Sequence, residues 1–275
     1  MKLISWNIQW CRGIDGRVDP ARIARTAREL CDPDVCCFQE VAVNFPALAG
    51  SAGEDQVELL LARFPGYSAH FAWGVDVPAE GGGRRRFGNL ILARLPVRRV
   101  MRHSLPWPAE DGVPSMARVA IEAVVEAPWG PVAVTTTHLE YYSARQRAAQ
   151  AERLREIEFE KTLLARSAPS DAYSSGPFQP LPRPVSSILT GDFNMPPQDP
   201  IVAHMLETWA DAWQAAHPGA PHPPSFHLHD ADGKAPYCCD YALVSKDLVA
   251  RVAHVRIDAQ TQASDHQPVI VEFSS

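Results

Sequence analysis

Short apolar runs of strand length start or stop on an acid, a carboxamide or a histidine at point after point along this 275-residue chain. Asn7 follows residues 2–6, Glu40 follows 34–38, His138 follows 131–137 and Asp192 follows 187–190. Asp240 sits in the run 238–244, and Asp265 with His266 precedes 268–273. Between these runs lie segments whose apolar residues recur every three to four positions. Strands and helices interleaved in this way bury their apolar faces as sheets covered by helices, and the chain is long enough for two sheets. Strand ends on one edge of such a sandwich converge on one cleft, however distant in sequence, so the polar positions are candidates for a single site.

The first unit reads as strand, loop, helix, strand. Residues 2–6 form the opening strand, and Arg12 to Gly16 form a glycine-bearing loop. Asp19-Pro20 supplies a cap acceptor followed by proline at the first helical position. Ile23, Ala27 and Leu30 then recur at helical spacing, and Asp32-Pro33 ends the helix. A buried strand over 34–38 delivers Gln39-Glu40 at its end. A second helix is expected over 54–64, with Val57, Leu60, Leu61 and Phe64 on one face, and strands around 67–73, 88–94, 117–125 and 131–138. Ser143 and Gln146 have the spacing of a capping box, opening a long helix to about 166 with Leu154, Ile157 and Leu164 inward. Residues 168–184, rich in proline and serine, read as a surface insertion. Asp199-Pro200 opens another helix, with Ile201, Met205, Leu206 and Trp209 toward the core. The stretch 217–236 reads as loop, 238–244 as strand and 268–273 as the closing strand. With no repeats and no break in composition, residues 1–275 are expected to form one domain.

Hydrophobic residues make up 46% of the sequence, enough for a sizeable core, while the net charge is −6. A protein that grips long nucleic acid is usually basic over at least one face. The acidic balance therefore argues against a high-affinity DNA binder, but not against an enzyme that touches few phosphates. No apolar run approaches the ~18 residues that span a bilayer, and Met1 to Asn7 reads as a strand instead of a signal peptide. The expected location is the cytoplasm, with no stable membrane insertion and no protein partner evident. Cys36-Cys37 and Cys238-Cys239 lie in apolar runs and, like Cys11 and Cys31, lack zinc-site spacing, so small buried thiols are expected.

Carboxylates and carboxamides offer hard oxygen ligands, which suit Mg²⁺ or Mn²⁺ better than zinc. Histidines beside such a cation are better employed as donors to charge developing on phosphorus. Taken singly, each position also has a plain structural reading: Asn7 as a strand-end turn residue, Asp192 to Asn194 as an Asx-type turn, His138 as the end of a threonine-rich strand. Their joint order is what discriminates. Ser5-Trp6-Asn7-Ile8-Gln9, Phe38-Gln39-Glu40-Val41, Gly88-Asn89-Leu90-Ile91-Leu92 and Thr137-His138-Leu139 are followed by Gly191-Asp192-Phe193-Asn194, Cys239-Asp240-Tyr241-Ala242-Leu243-Val244-Ser245 and Ser264-Asp265-His266-Gln267-Pro268-Val269. This series resembles the endonuclease/exonuclease/phosphatase superfamily, which includes pancreatic-type deoxyribonucleases, abasic-site endonucleases, inositol polyphosphate phosphatases and neutral sphingomyelinases. The resemblance spans residues 5 to 269 and is specific for the superfamily, not for a branch within it.

The resemblance implies a four-layer α/β sandwich, two mixed β-sheets face to face with helices outside, and in-line attack of metal-assisted water on phosphorus. It implies that Glu40 is the principal ligand of Mg²⁺ or Mn²⁺, with Asn7 and Asp265 nearby. Asp192 resembles the residue that orients or deprotonates the attacking water, with Asn194 as its partner at the phosphate. His266 would contact the scissile phosphate with Asp240 holding its ring, and a carboxylate in that position independently favours the imidazolium. His138 matches a second histidine that supports the phosphate or leaving group. Asn89 and Arg118 are expected on the substrate side.

The substrate is less constrained. Gly81-Gly82-Gly83 before Arg84-Arg85-Arg86 is expected to form a flexible loop carrying three guanidiniums, which suit phosphate oxygens. Trp10, Phe45, Tyr141 and Tyr142 follow the motifs and have the chemistry to stack on a base or cover a lipid head group. The leading expectation is a phosphodiesterase or nuclease acting on a phosphoester, nucleic acid included. The alternatives are a phosphatase or phosphodiesterase of inositol phosphates or phospholipids and, last, an inactive binding module.

Overall fold

The computed structural model describes residues 1–170, 175–229 and 233–275. The chain runs through β1 (Lys2–Asn7), α1 (Pro20–Cys31), β2 (Val35–Val43), α2 (Gln56–Leu61), β3 (Ser68–Pro78), β4 (Arg84–Ala93), β5 (Val97–Ser104), β6 (Val119–Ala127) and β7 (Gly130–His138). It continues with α3 (Ala144–Arg166), β8 (Ser187–Asp192), α4 (Pro200–Met205), β9 (Ala210–Asp211), α5 (Ala212–Ala216), β10 (Asp240–Val244), β11 (Val252–Ile257) and β12 (Val269–Phe273). One six-stranded sheet has the order β11-β12-β1-β2-β4-β3 and the other β5-β6-β7-β8-β10-β9. β1–β2 and β7–β8 are parallel, and the remaining neighbours antiparallel.

The period-two alternation of strands separates three cores. Leu3, Cys37 and Ile91 of the first sheet meet Ile121, Val134 and Ile188 of the second in the central layer. Their chain neighbours Ile4, Cys36, Phe38 and Leu90 point the other way, onto Ile23 and Ala27 of α1 and Leu60 of α2. On the far side, Ala120, Leu189 and Leu243 pack on Leu154 of α3 and Met205 of α4. Both sheets are thus covered on both faces, which is why their central strands are nearly continuous apolar runs. The result is the four-layer arrangement expected from the sequence.

Local chemistry sets the helix ends. The side chains of Asp19, Ser143 and Asp199 accept from the backbone N–H groups of Arg22, Gln146 and Ile201. Prolines at the start of α1 and α4 place no N–H where none is needed. All six cysteines are buried and free. Among the described residues, no helix is long and apolar enough to cross a membrane.

Several expectations change. Arg84 to Arg86 lie in β4, paired with Asp76 to Pro78 of β3, instead of in a flexible loop; the three glycines form the hairpin turn. β2 runs through Glu40 to Val43, with a bulge between Phe38 and Val41. Leu164, expected inward, is 40% exposed: the buried residues of α3 end at Glu158, so its last two turns pack little. β5 and β11 are not foreseen: both are outer strands whose arginines and histidines break the apolar alternation. Residues 175–184 of the foreseen insertion are largely exposed, and 171–174 lie outside the described residues. In the stretch read as loop, Phe226 makes bridges to Tyr237 and His266, and 230–232 lie outside the described residues.

Candidate active site

Register brings the polar strand ends to one edge. β7 and β8 are parallel with His138 opposite Asp192, and β10 is antiparallel to β8 with Asp240 opposite the same aspartate. β12 is antiparallel to β1, so the turn that precedes it, carrying Asp265 and His266, lies at the end of β1 where Asn7 emerges. Trp6 Nε1 donates to the His266 carbonyl at 2.9 Å, and Ser264 Oγ to the Asn7 carbonyl at 2.7 Å, pinning that turn. Gly191 is required beside Asp192: a Cβ there would sit 1.9 Å from the Thr137 carbonyl oxygen, and its φ is +144°.

Asp192, 1% exposed, is the hub. Its Oδ1 accepts from the Asn194 backbone N–H at 2.9 Å and its Oδ2 from Asn7 Nδ2 at 3.0 Å. Oδ2 also lies 3.3 Å from His138 Nε2 and 3.6 Å from His266 Nε2.

The two histidines differ in charge. Burial alone would lower the His266 pKa, but Asp240, 2.9 Å from Nδ1, outweighs it with help from Asp192 and Asp265, so the ring is held well above its usual range and is a cation. Asp240 is itself fixed by Ser225, whose Oγ donates to Oδ2 at 2.6 Å. Phe226 stacks on the His266 ring at 4.2 Å between centroids. His138 is pushed down to about 3, by burial first and then by the Arg118 guanidinium. It is neutral. Asn194 Nδ2 donates both to the Leu139 carbonyl and to His138 Nε2, each at 2.8 Å, so the ring proton is on Nδ1, 3.7 Å from Glu40 Oε1. Both histidines are expected from the sequence as donors to phosphate; His138 accepts from Asn194 with its Nδ1 turned toward Glu40 at 3.7 Å, while His266 presents an imidazolium N–H to the cluster.

Glu40 occupies the β2 bulge with φ 58°, a left-handed conformation that turns its carboxylate into the cleft. Its pKa is pushed up to about 7, by burial first and then by Asp265, with Asp192 adding and His266 and Asn7 opposing. A half-ionised glutamate crowded by other carboxylates is what a divalent cation relieves, and the oxygen donors suit a hard one. Gln9 Nε2 steadies Asp265 Oδ2 at 2.6 Å. Asn7 is oriented from both ends, its Nδ2 donating to Asp192 Oδ2 and its Oδ1 accepting from the Gln9 N–H at 3.1 Å. Asp192, Cys239 and His266 also bring one donor atom each within 4.8 Å of one another. That trio is a poor metal set, since burial and two aspartates push the Cys239 thiol up and His266 is protonated.

Asn89 and Arg118 line the same cleft as Glu40, Phe87 and His138. Asn89 Nδ2 donates to the Val119 carbonyl at 2.8 Å, tying the two sheets together. Arg118, 7% exposed, pairs through Nε with the buried Glu140 at 3.2 Å, while its Nη1 is buried without a hydrogen-bond partner among the described residues. Ser225, Phe226 and Glu140 are the residues that sequence reasoning missed. The first two sit in a proline-rich stretch with no periodicity, and Glu140 looked like an ordinary residue after a motif.

The model of the Endonuclease/Exonuclease/phosphatase family matches residues 4–266. No curated protein matches the chain. Among solved structures, an endonuclease/exonuclease/phosphatase from Beutenbergia cavernae superposes with a TM-score of 0.70 at 22% identity, covering 100% of this chain and 72% of that one. The mannosyl-6-phosphatase of Bacteroides thetaiotaomicron gives 0.68 at 18% identity with full coverage of both chains. The human Nocturnin catalytic domain, solved with a bound sulfate anion, gives 0.65 at 19% identity over 100% of this chain and 93% of that one. At these identities the likeness is one of fold.

Proposed function

The chain belongs to the endonuclease/exonuclease/phosphatase family, a superfamily of hydrolases acting on phosphoesters with phosphatase, nuclease and phosphodiesterase activities, and on that premise we propose that it is a Mg²⁺- or Mn²⁺-dependent phosphodiesterase or nuclease. The observation that supports this reading most is the buried Asp192 flanked by the His266–Asp240 pair, within reach of Asn7 and Asn194.

Glu40 would hold the cation, with Asp265 and the carboxamide oxygen of Asn7 completing the protein's share of the ligands. Bound there, the cation supplies Lewis-acid polarisation of a phosphoryl oxygen and acidifies a nearby water. The protein's own groups do the rest. Asp192 orients the water and takes its proton as the oxygen attacks phosphorus; the ester oxygen opposite leaves with the bond pair. Asn7 and the Asn194 backbone hold that carboxylate in one orientation. The free imidazolium N–H of His266 lies 3.6 Å from Asp192, too long for a good hydrogen bond, so it is available to a non-bridging phosphate oxygen as charge develops. Asp240 keeps it protonated. His138, neutral, accepts from Asn194 Nδ2 and so helps hold that side chain beside Asp192, and Arg118 Nη1 offers a further donor on the substrate side.

Assaying the purified protein with Mg²⁺ on single-stranded DNA, duplex DNA, RNA, inositol phosphates and phospholipids tests the reading. Hydrolysis of diesters supports it, and inertness toward every diester in the set overturns it.

A further inference from the structure

β4 carries more than Asn89 to the cleft. Strand alternation places Phe87 and Arg85 on the face of β4 that bears Asn89, in order outward from the site. Phe87 lines the cleft together with Glu40 and His138. Two aromatic rings from other segments meet it: Trp10, just after β1, with centroids 6.5 Å apart, and Phe45, just after β2, at 6.4 Å. Trp10 is fixed from both sides, its Nε1 donating to the Ala49 carbonyl at 3.0 Å and its own carbonyl accepting from Gln56 Nε2 at 2.7 Å. All three rings are half-buried, whereas Phe38, Phe64 and Phe193 are fully buried in the cores. They form a stiff apolar wall that begins at the candidate catalytic cluster and faces solvent.

Charges of both signs border this wall: Glu54 stands at the Trp10 end, its Oε1 accepting from the same Gln56 Nε2 that donates to the Trp10 carbonyl, and Arg85 stands at the other. Arg85 lies 5.8 Å from the Phe45 ring centroid and makes no ion pair among the described residues. Its neighbours are engaged on the opposite face or edge: Arg84 and Arg86 with Asp76, and Arg86 also over Trp73 at 4.4 Å. A guanidinium that makes no ion pair among the described residues, its Nε donating to the Pro78 carbonyl at 3.0 Å, next to half-buried aromatic faces, matches the combination of backbone phosphate and unstacked base in a single-stranded nucleic acid.

We propose that Trp10, Phe45 and Phe87 form a stacking wall for a nucleobase adjoining the scissile phosphate, with Arg85 meeting the next backbone phosphate. The assignment rests on the hydrolase reading above and narrows its substrate to single-stranded nucleic acid.

The test is a binding ratio. In the Asp192→Asn background, which slows turnover, fluorescence anisotropy with Mg²⁺ compares a labelled thymidine hexamer with an abasic hexamer of the same length. Stacking is worth roughly 1–3 kcal/mol per base, so the base-bearing strand should bind at least about fivefold more tightly. Phe87→Leu keeps apolar bulk but removes the ring, and Trp10→Leu does the same on the other side; each should bring the ratio toward one, with circular dichroism and melting reporting that the fold is kept. Arg85→Gln, at a partly exposed position, should weaken both strands alike and flatten the salt dependence. A ratio within about twofold of one in the parent, or a ratio untouched by Phe87→Leu and Trp10→Leu, overturns the wall. So does binding to phosphatidylserine vesicles that these variants abolish while the hexamer ratio stays near one. Turnover of bis-p-nitrophenyl phosphate by the wild-type chain, measured alongside, separates the failures: turnover with a ratio near one sinks only the wall, and loss of both sinks the hydrolase reading as well.

Discussion

Replacing Glu40 by glutamine removes one charge and almost no volume, and the structure fixes the consequence for stability. Burial and Asp265 raise the Glu40 pKa from its ordinary 4.5 to about 7. The unfolded chain therefore releases this proton near pH 4.5 and the folded protein only near 7. The contribution is fully present below 4.5 and is lost as pH rises through 7. At 1.36 kcal/mol per tenfold change in proton affinity, ionised Glu40 costs the protein about 3 kcal/mol in EDTA at pH 8. The side chain is 18% exposed, so this is an upper figure. Glu40→Gln does not ionise, and in EDTA at pH 8 it should melt higher than wild type, by up to roughly 6–12 °C for a chain of this size. At pH 4.5 the two should coincide. Mg²⁺ should reverse the order at pH 8, because a bound cation stabilises the wild type by mass action and the amide holds it weakly. Thermal melts at both pH values, with EDTA and with Mg²⁺, check all four cells of this design. Equal melting temperatures throughout, or a wild type that gains on the variant between pH 4.5 and 8 in EDTA, would refute the electrostatic argument for a cation at Glu40.

Asp240→Asn should slow turnover increasingly as pH rises through the neutral range, since His266 loses the charge that keeps it protonated; the loss should approach that of a missing oxyanion donor, about 10²–10³-fold, and a pH–rate profile parallel to wild type would contradict it. His266→Ala combined with Asp240→Ala should be little worse than the worse single variant, as expected for groups acting as a unit; fully multiplicative losses in kcat would uncouple the pair. His138→Ala should lower turnover without the steepening at higher pH, because its ring is neutral throughout; a loss that grows with pH as in Asp240→Asn would assign it a charged role.

The architecture was legible because its signals are local and periodic. The cap residues Asp19, Ser143 and Asp199 announce helices in the residues themselves, and the apolar runs around Leu3, Cys37, Val134 and Leu189 announce central strands. Most positions that gather at the cluster were legible for a related reason: Asn7, His138, Asp192 and Asp240 lie at strand ends that parallel or antiparallel register carries to one edge. What stayed hidden depends on tertiary context. The bulge that aims Glu40 is a mismatch between β2 and β4, and neither sequence alone marks it. The arginine triplet looked like a loop because glycines precede it, yet pairing with Asp76 to Pro78 makes it strand. The charge difference between His138 and His266 follows from burial and a guanidinium at one and three aspartates around the other, and Ser225 and Phe226 reach His266 from a stretch with no pattern at all.

We propose that this cluster hydrolyses phosphoesters with a divalent cation, and that Asp192 is the group that handles water. Hydrolysis of bis-p-nitrophenyl phosphate by wild type with Mg²⁺, by wild type in excess EDTA, and by Asp192→Asn with Mg²⁺ tests it most directly. Turnover is expected in the first case, none in the second with recovery on adding Mg²⁺ or Mn²⁺, and a reduction of about 10²–10⁴-fold in the third with melting little altered. Full activity in EDTA, or a variant retaining more than about half of wild-type turnover where general-base loss should cost at least 10²-fold, would contradict it.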